Sequence, residues 1–141
     1  MSGTPDTASA TRRSSPATPV LRVVGAGLLL GIAGIHAYLW QQGYREIDVI
    51  GPAFLLQSVL GGAGAVAVLL APRRLLPGAA VLGAVFAVGS LIALVLSTTV
   101  GLFGFVESTQ AQYWWESLWV ESAAAVVLTA LAVLAWRGRH H

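Results

Sequence analysis

The sequence predicts an all-α chain of four transmembrane helices packed as a bundle, with both termini on the cytoplasmic side. Three observations carry that expectation. The 141 residues are 56% hydrophobic and 10% charged, against about 25% charged and under half apolar in soluble domains. Four apolar stretches are each long enough to cross a bilayer, which takes about 20 helical residues. The few charges are sorted by sign along the chain. Composition therefore excludes a soluble globular domain, a disordered chain and a basic nucleic-acid-binding domain. With 0 cysteines there is no disulfide framework, thiolate metal site or thiol redox chemistry.

Residues 1–19 are rich in Ser, Thr, Pro and Ala and cannot bury enough apolar surface to fold, so they are expected to form a disordered cytoplasmic tail. The membrane domain is expected over 20–137, with spans at 20–40, 49–70, 77–102 and 118–136, and 138–141 as a second short cytoplasmic tail. A small-x-small site at Gly31-Ile32-Ala33 invites a cleavable signal peptide, but the apolar run continues to Trp40 and is long enough to span. Arg12-Arg13 is followed by Ser14-Ser15-Pro16 and not by an apolar stretch, so it does not read as a twin-arginine signal. Helices are required because lipid leaves no partner for an unpaired backbone group. A β-barrel would alternate apolar and polar residues, and the run Ala123–Leu128 does not. The connection from Ala71 to Pro77 is short, which makes spans two and three antiparallel neighbours, and Pro77 suits a first helical turn where its missing N–H costs nothing.

Orientation follows from arginine. Arg12, Arg13, Arg22, Arg73, Arg74, Arg137 and Arg139 fall on one side of the predicted spans, with Asp6. Opposite them lie Arg45 and the acidic residues Glu46, Asp48, Glu107, Glu116 and Glu121. Seven arginines against one place both termini and the Arg73-Arg74 turn in the cytoplasm.

Small residues let membrane helices approach closely. Gly27, Gly31 and Gly34 in span one, Gly61 and Gly64 in span two, and Gly83 and Ser90 in span three are the expected packing positions. The same small residues also serve a homo-oligomeric seam.

Polar residues gather near the acidic side, as an acidic, aromatic cup open outward over an apolar floor. Gln57 lies about 10 to 12 Å below that boundary at 1.5 Å per residue, on a face with Phe54, Gly61 and Gly64. Glu121 shares a face with Ser117, Ala124 and Ala125. An ionisable side chain inside a membrane is costly, which makes Glu121 a functional candidate. The alternative is an interfacial glutamate in water. His36 lies well around its helix from the glycines, on a face with Ala33, Ala37 and Trp40. Either two faces of span one are packed, or His36 points to the headgroups. Arg45 and Glu116 complete the set of ligand or proton-site candidates. Tyr38, Trp40, Tyr44, Tyr113, Trp114, Trp115 and Trp119 fall at one level and read as an interfacial belt. The sharper alternative makes 110–119 an interfacial half-helix over the cup, next to a span four that is the shortest of the set. One His with scattered carboxylates lacks a ligand spacing, so neither a metal nor a cofactor is predicted.

The run Gly34-Ile35-His36-Ala37-Tyr38-Leu39-Trp40, then Gly43-Tyr44-Arg45-Glu46-Ile47 and Ile50-Gly51-Pro52-Ala53-Phe54-Leu55-Leu56, resembles small four-helix membrane proteins of actinobacteria. The similarity covers the first two spans. It implies a four-span protein of a bacterial inner membrane and carries over no activity. An arginine-only basic set with abundant Ala, Gly and Val agrees with a GC-rich bacterial gene. No nucleophile–base constellation is visible. The expected function is therefore non-enzymatic: an accessory or ligand-binding bundle whose partners are the lipid bilayer, another membrane protein or second copy, and a small amphiphile, with no nucleic acid. The alternative is a small transporter or proton-coupled subunit working as an oligomer, with Glu121, Gln57 and His36 lining the path.

Overall fold

A computed structural model of the chain describes residues 16–139. It is all-helical. Helix α1 spans Ala17–Gln41, α2 Ile50–Leu70, α3 Leu76–Thr99 and α4 Trp114–Arg139, with one 3₁₀ turn at Tyr44–Glu46 between α1 and α2. Each of the four helices is long and apolar enough to cross a membrane. The expected tail at 1–19 lies mostly outside the described residues, and its last three residues already belong to α1. Likewise Gly138 and Arg139 extend α4, while His140 and His141 lie outside the described residues.

Two further boundaries differ from the sequence reading, each for a backbone reason. Span three stops at Thr99 and not at residue 102, because Gly101 and Gly104 take positive φ and Leu102 pairs with Phe105 in a tight antiparallel bridge. Span four begins four residues early. Tyr113, held at φ 63, turns the chain directly into Trp114. The predicted shortest span is thus the longest helix, at 26 residues, and the segment 110–119 contains no separate half-helix. Val49, at φ 66 and ψ −44, precedes α2; positive φ on a β-branched side chain is uncommon and strained.

α1 packs along α2, and α3 along α4, while α1 also meets α4; of the adjacent pairs, α2 and α3 touch least. α2 and α3 are neighbours, as their short connection predicts, and are joined by a hydrogen bond from Gln57 to Ser90. At the arginine-rich end the turn is held by Arg22, whose guanidinium donates to the Ala71 carbonyl at the C-terminus of α2. The core of this half is apolar and continuous, built on Ala26, Leu29, Ile32, Ala65, Val68, Ala80, Leu128 and Leu131. Leu128 of α4 sits in a slot made by two glycines. A Cβ on Gly25 of α1 would lie 2.8 Å from its Cδ2, and one on Gly83 of α3 would lie 3.1 Å from its Cδ1.

The other expected packing glycines divide. Gly61 is buried against the Leu29 carbonyl and Ala33, Gly64 lies beside Leu29, and Gly31 meets Val120. Gly27 and Gly34, by contrast, are exposed and face no neighbouring atoms. The buried face of α1 runs through Gly25, Leu29, Ile32 and His36, so two helix neighbours, and not a glycine stripe, define its interior. His36 therefore points inward.

Candidate functional site

The cluster of polar residues lies at the end opposite the arginines, around a cavity of about 370 Å³. Each helix supplies part of it. α1 contributes His36 and Leu39, α2 Phe54, Gln57 and Leu60, α3 Phe86, Ser90 and Ser97, and α4 Trp114, Ser117 and Glu121. The loop after α3 lines it from the helix ends, through Leu102, Phe105, Glu107, Ala111, Gln112 and Tyr113. Leu56 and Leu60 on α2 and Gly89 on α3 line the cavity and are also exposed. The cavity thus opens sideways between α2 and α3, where the helices touch least. The cup expected from the sequence opens instead at its end, where this loop lies.

Glu121 forms the deepest polar point. It sits two turns into α4 and is 1% exposed, and His36 facing it from α1 is 6% exposed. The His36 Nδ1 lies 2.8 Å from the Ile32 carbonyl. A carbonyl only accepts, so Nδ1 carries the hydrogen and Nε2 is the nitrogen turned toward the cavity. Nε2 stands 4.0 Å from Glu121 Oε2, too long for a hydrogen bond. The second carboxylate oxygen, Oε1, is buried with no hydrogen-bond partner in the described structure. Unsatisfied polar atoms of this kind are few in folded proteins and ask for an explanation.

Beside this pair, the Gln57 amide donates to Ser90 Oγ at 3.0 Å, tying α2 to α3 at the level of the opening. Ser58 Oγ donates to the Ala33 carbonyl at 3.0 Å and ties α2 to α1. Ser90, expected as a small packing residue, therefore has a polar partner and lines the cavity.

The loop is fastened back onto the helices. The Glu107 amide donates to the Ser97 carbonyl at 2.7 Å, and Trp114 Nε1 donates to Thr98 Oγ1 at 2.9 Å. Tyr44, from the 3₁₀ turn, donates its hydroxyl to Glu107 Oε2 at 2.8 Å. Its ring stacks on Phe54 at 4.7 Å, and Phe54 in turn meets the His36 ring edge-on at 4.9 Å. Contacts thus run from the loop carboxylate through two aromatic rings to His36. Burial, and then the Glu107 carboxylate, push the Tyr44 phenol well above its ordinary value of 10.0. The turn approaches α2 closely because residue 51 is glycine: a Cβ there would lie 2.5 Å from the Arg45 carbonyl oxygen.

Of the five ligand or proton-site candidates, His36, Gln57 and Glu121 converge on the cavity. Arg45 and Glu116 do not. Arg45 is exposed, pairs with Glu46 at 3.4 Å and lies over the Trp40 ring at 5.7 Å; Glu116 is exposed on the first turn of α4. The expected aromatic belt also divides. Trp115 and Trp119 are 54% and 68% exposed, and Tyr38 is exposed with its ring against Tyr113. Tyr44 and Trp114 turn inward, each holding a hydrogen bond. The sequence does not single out Phe86, Phe105 or Gly89, since an apolar residue inside an apolar run carries no local mark of facing a cavity. Among the described residues no three of His, Cys, Asp and Glu come together as a metal site.

No family model, characterised protein or solved structure matches the chain.

Proposed function

We propose that this is a multi-pass protein of the bacterial cytoplasmic membrane, with both termini and the Arg73-Arg74 turn in the cytoplasm. It acts there as a non-enzymatic, accessory bundle that holds a small amphiphile taken sideways from the bilayer. The observation that carries this reading is the shape of the cavity: a polar floor of His36, Gln57, Ser90 and Glu121, and an apolar side opening between α2 and α3. Its volume falls at the small end of the range of about 300–1,000 Å³ typical of ligand sites, which combine apolar walls with a few fixed polar groups. A head group meets the floor, and an apolar tail leaves through the opening into lipid. Seven arginines against one support the orientation.

Flux through a single chain would have to cross the continuous apolar core of the arginine-rich half, which favours holding over transport. Gly89→Trp tests the reading. Nothing lies within 4 Å of a Cβ at this exposed position, so the indole obstructs the opening without entering the core. Native mass spectrometry of the protein released from lipid nanodiscs should show a retained amphiphile in the wild type and its loss in Gly89→Trp. Equal retention, or none in either, refutes the proposal. If Glu121→Gln instead abolishes proton or solute flux in proteoliposomes while folding normally, the transporter alternative replaces it.

A further inference from the structure

We propose, building on the amphiphile-holding reading above, that the head group this cavity selects is a cation: a lipophilic amine in its ammonium form, whose charge and N–H donors are met by Glu121. The argument is a charge census of the walls. Among the described residues two carboxylates line the cavity, Glu107 and Glu121, and no arginine does. Arg45 is turned outward, and the remaining described arginines lie at the opposite end of the helices. Glu107 is occupied, since Tyr44 donates to its Oε2 and the Ser108 amide donates to its Oε1 at 3.0 Å.

Glu121 is not. Its Oε1 is buried and without a partner, and its other oxygen is 4.0 Å from a histidine nitrogen. A buried carboxylate gains most from a partner that brings both charge and hydrogen-bond donors. An anionic head such as a phosphate or sulfate would meet two carboxylates and no guanidinium. A neutral hydroxyl could satisfy one oxygen but brings no charge to the carboxylate.

The rest of the lining agrees. Phe54, Phe86, Phe105 and Trp114 present aromatic rings around the same space, and ring faces attract ammonium groups, more strongly when water is excluded. An anionic head would gain from neither the rings nor the orphaned oxygen.

The test uses three single-chain probes with the same dodecyl tail: dodecylammonium, dodecanol and dodecyl sulfate. Each is titrated into the full chain in zwitterionic nanodiscs. Binding is read as the change in emission of Trp114, with Trp114→Phe and empty discs as backgrounds. The ammonium should bind about tenfold tighter than the alcohol, a decade being what one charged contact supplies, and the sulfate should bind weakest. Glu121→Gln should remove the advantage of the ammonium while the alcohol still binds. Saturable binding of all three without preference, still blocked by Gly89→Trp, overturns the cation and leaves the amphiphile site standing. A preference for sulfate does the same. No saturable binding of any probe overturns both. Because the head-group series is measured on the wild type, a Glu121→Gln that failed to fold would not blunt it.

Discussion

The slot around Leu128 sets up a double-mutant cycle whose outcome can be worked from distances. In Gly25→Ala the new methyl would lie 2.8 Å from Leu128 Cδ2 and 3.5 Å from its Cγ. Carbons prefer about 3.5–4.0 Å, so α1 and α4 must separate, or Leu128 must leave its rotamer, by roughly 0.7 Å. Overpacking of this kind costs about 1–3 kcal/mol. Leu128 is fully buried, and Leu128→Ala removes the Cγ and both Cδ atoms. Lipid tails are as apolar as leucine, so the loss is mainly of packing contacts and falls near the low end of the usual range, about 2 kcal/mol.

In the double variant the methyl added at position 25 enters space that Leu128 has vacated. The pair should then cost about as much as Leu128→Ala alone, giving a favourable coupling of about 1–3 kcal/mol, within the range for touching residues. The assay is unfolding by sodium dodecyl sulfate from mild-detergent micelles, followed by circular dichroism. Additive costs, with coupling under about 0.5 kcal/mol, would mean that Gly25 and Leu128 do not share a slot, and the packing of α1 on α4 would be wrong.

Other outcomes follow from single contacts. Tyr44 has its phenol pushed up by burial and by Glu107, so the folded state favours the protonated form. Its contribution is complete below the ordinary value near 10 and is lost as pH rises through and beyond it. Tyr44→Phe should therefore be less stable than wild type at neutral pH, with the gap closing above about pH 10; a gap that widens with pH contradicts the Tyr44–Glu107 contact. Ser90→Ala removes the partner of Gln57 and should cost about 0.6 kcal/mol, the average for interhelical hydrogen bonds in membranes, with a loss above about 2 kcal/mol in detergent unfolding pointing to a larger network. The chain has no cysteine, so single replacements report orientation cleanly. Thr109→Cys should react with an impermeant maleimide on intact cells and Arg74→Cys only after permeabilisation, and the reverse pattern refutes the proposed topology.

Helix existence is legible in the sequence because it rests on local quantities: the length of each apolar run and the absence of a competing period. Ends are less so. Hydropathy carries span three past Thr99 because Val100 and Leu102 are apolar, whereas the stop is made by backbone sign at Gly101 and Gly104, which hydropathy does not register. The site is half legible. Gln57 and Glu121 are expected inside because they share faces with small residues, and both line the cavity. His36 stays ambiguous when its face is judged against Gly27 and Gly34, which turn outward. A helix with two neighbours buries two stripes, and one small-residue stripe cannot locate both. Links such as Tyr44 to Glu107 join residues distant in sequence, and nothing local announces them.

The side opening coincides with the seam between two hairpins, one of α1 with α2 and the other of α3 with α4. The turn held by Arg22 at Ala71 closes that seam at one end, and the packing of α1 on α4 closes its back. Mechanically this is a pair of tweezers: a force spreading Leu60 from Gly89 rotates two stiff arms about a fulcrum near the arginines. The Gln57–Ser90 hydrogen bond is the catch between the arms, and the apolar core below it need not be breached for them to part. Spin labels across the opening should accordingly report a wider spread of distances than labels placed across α2 and α3 near the turn.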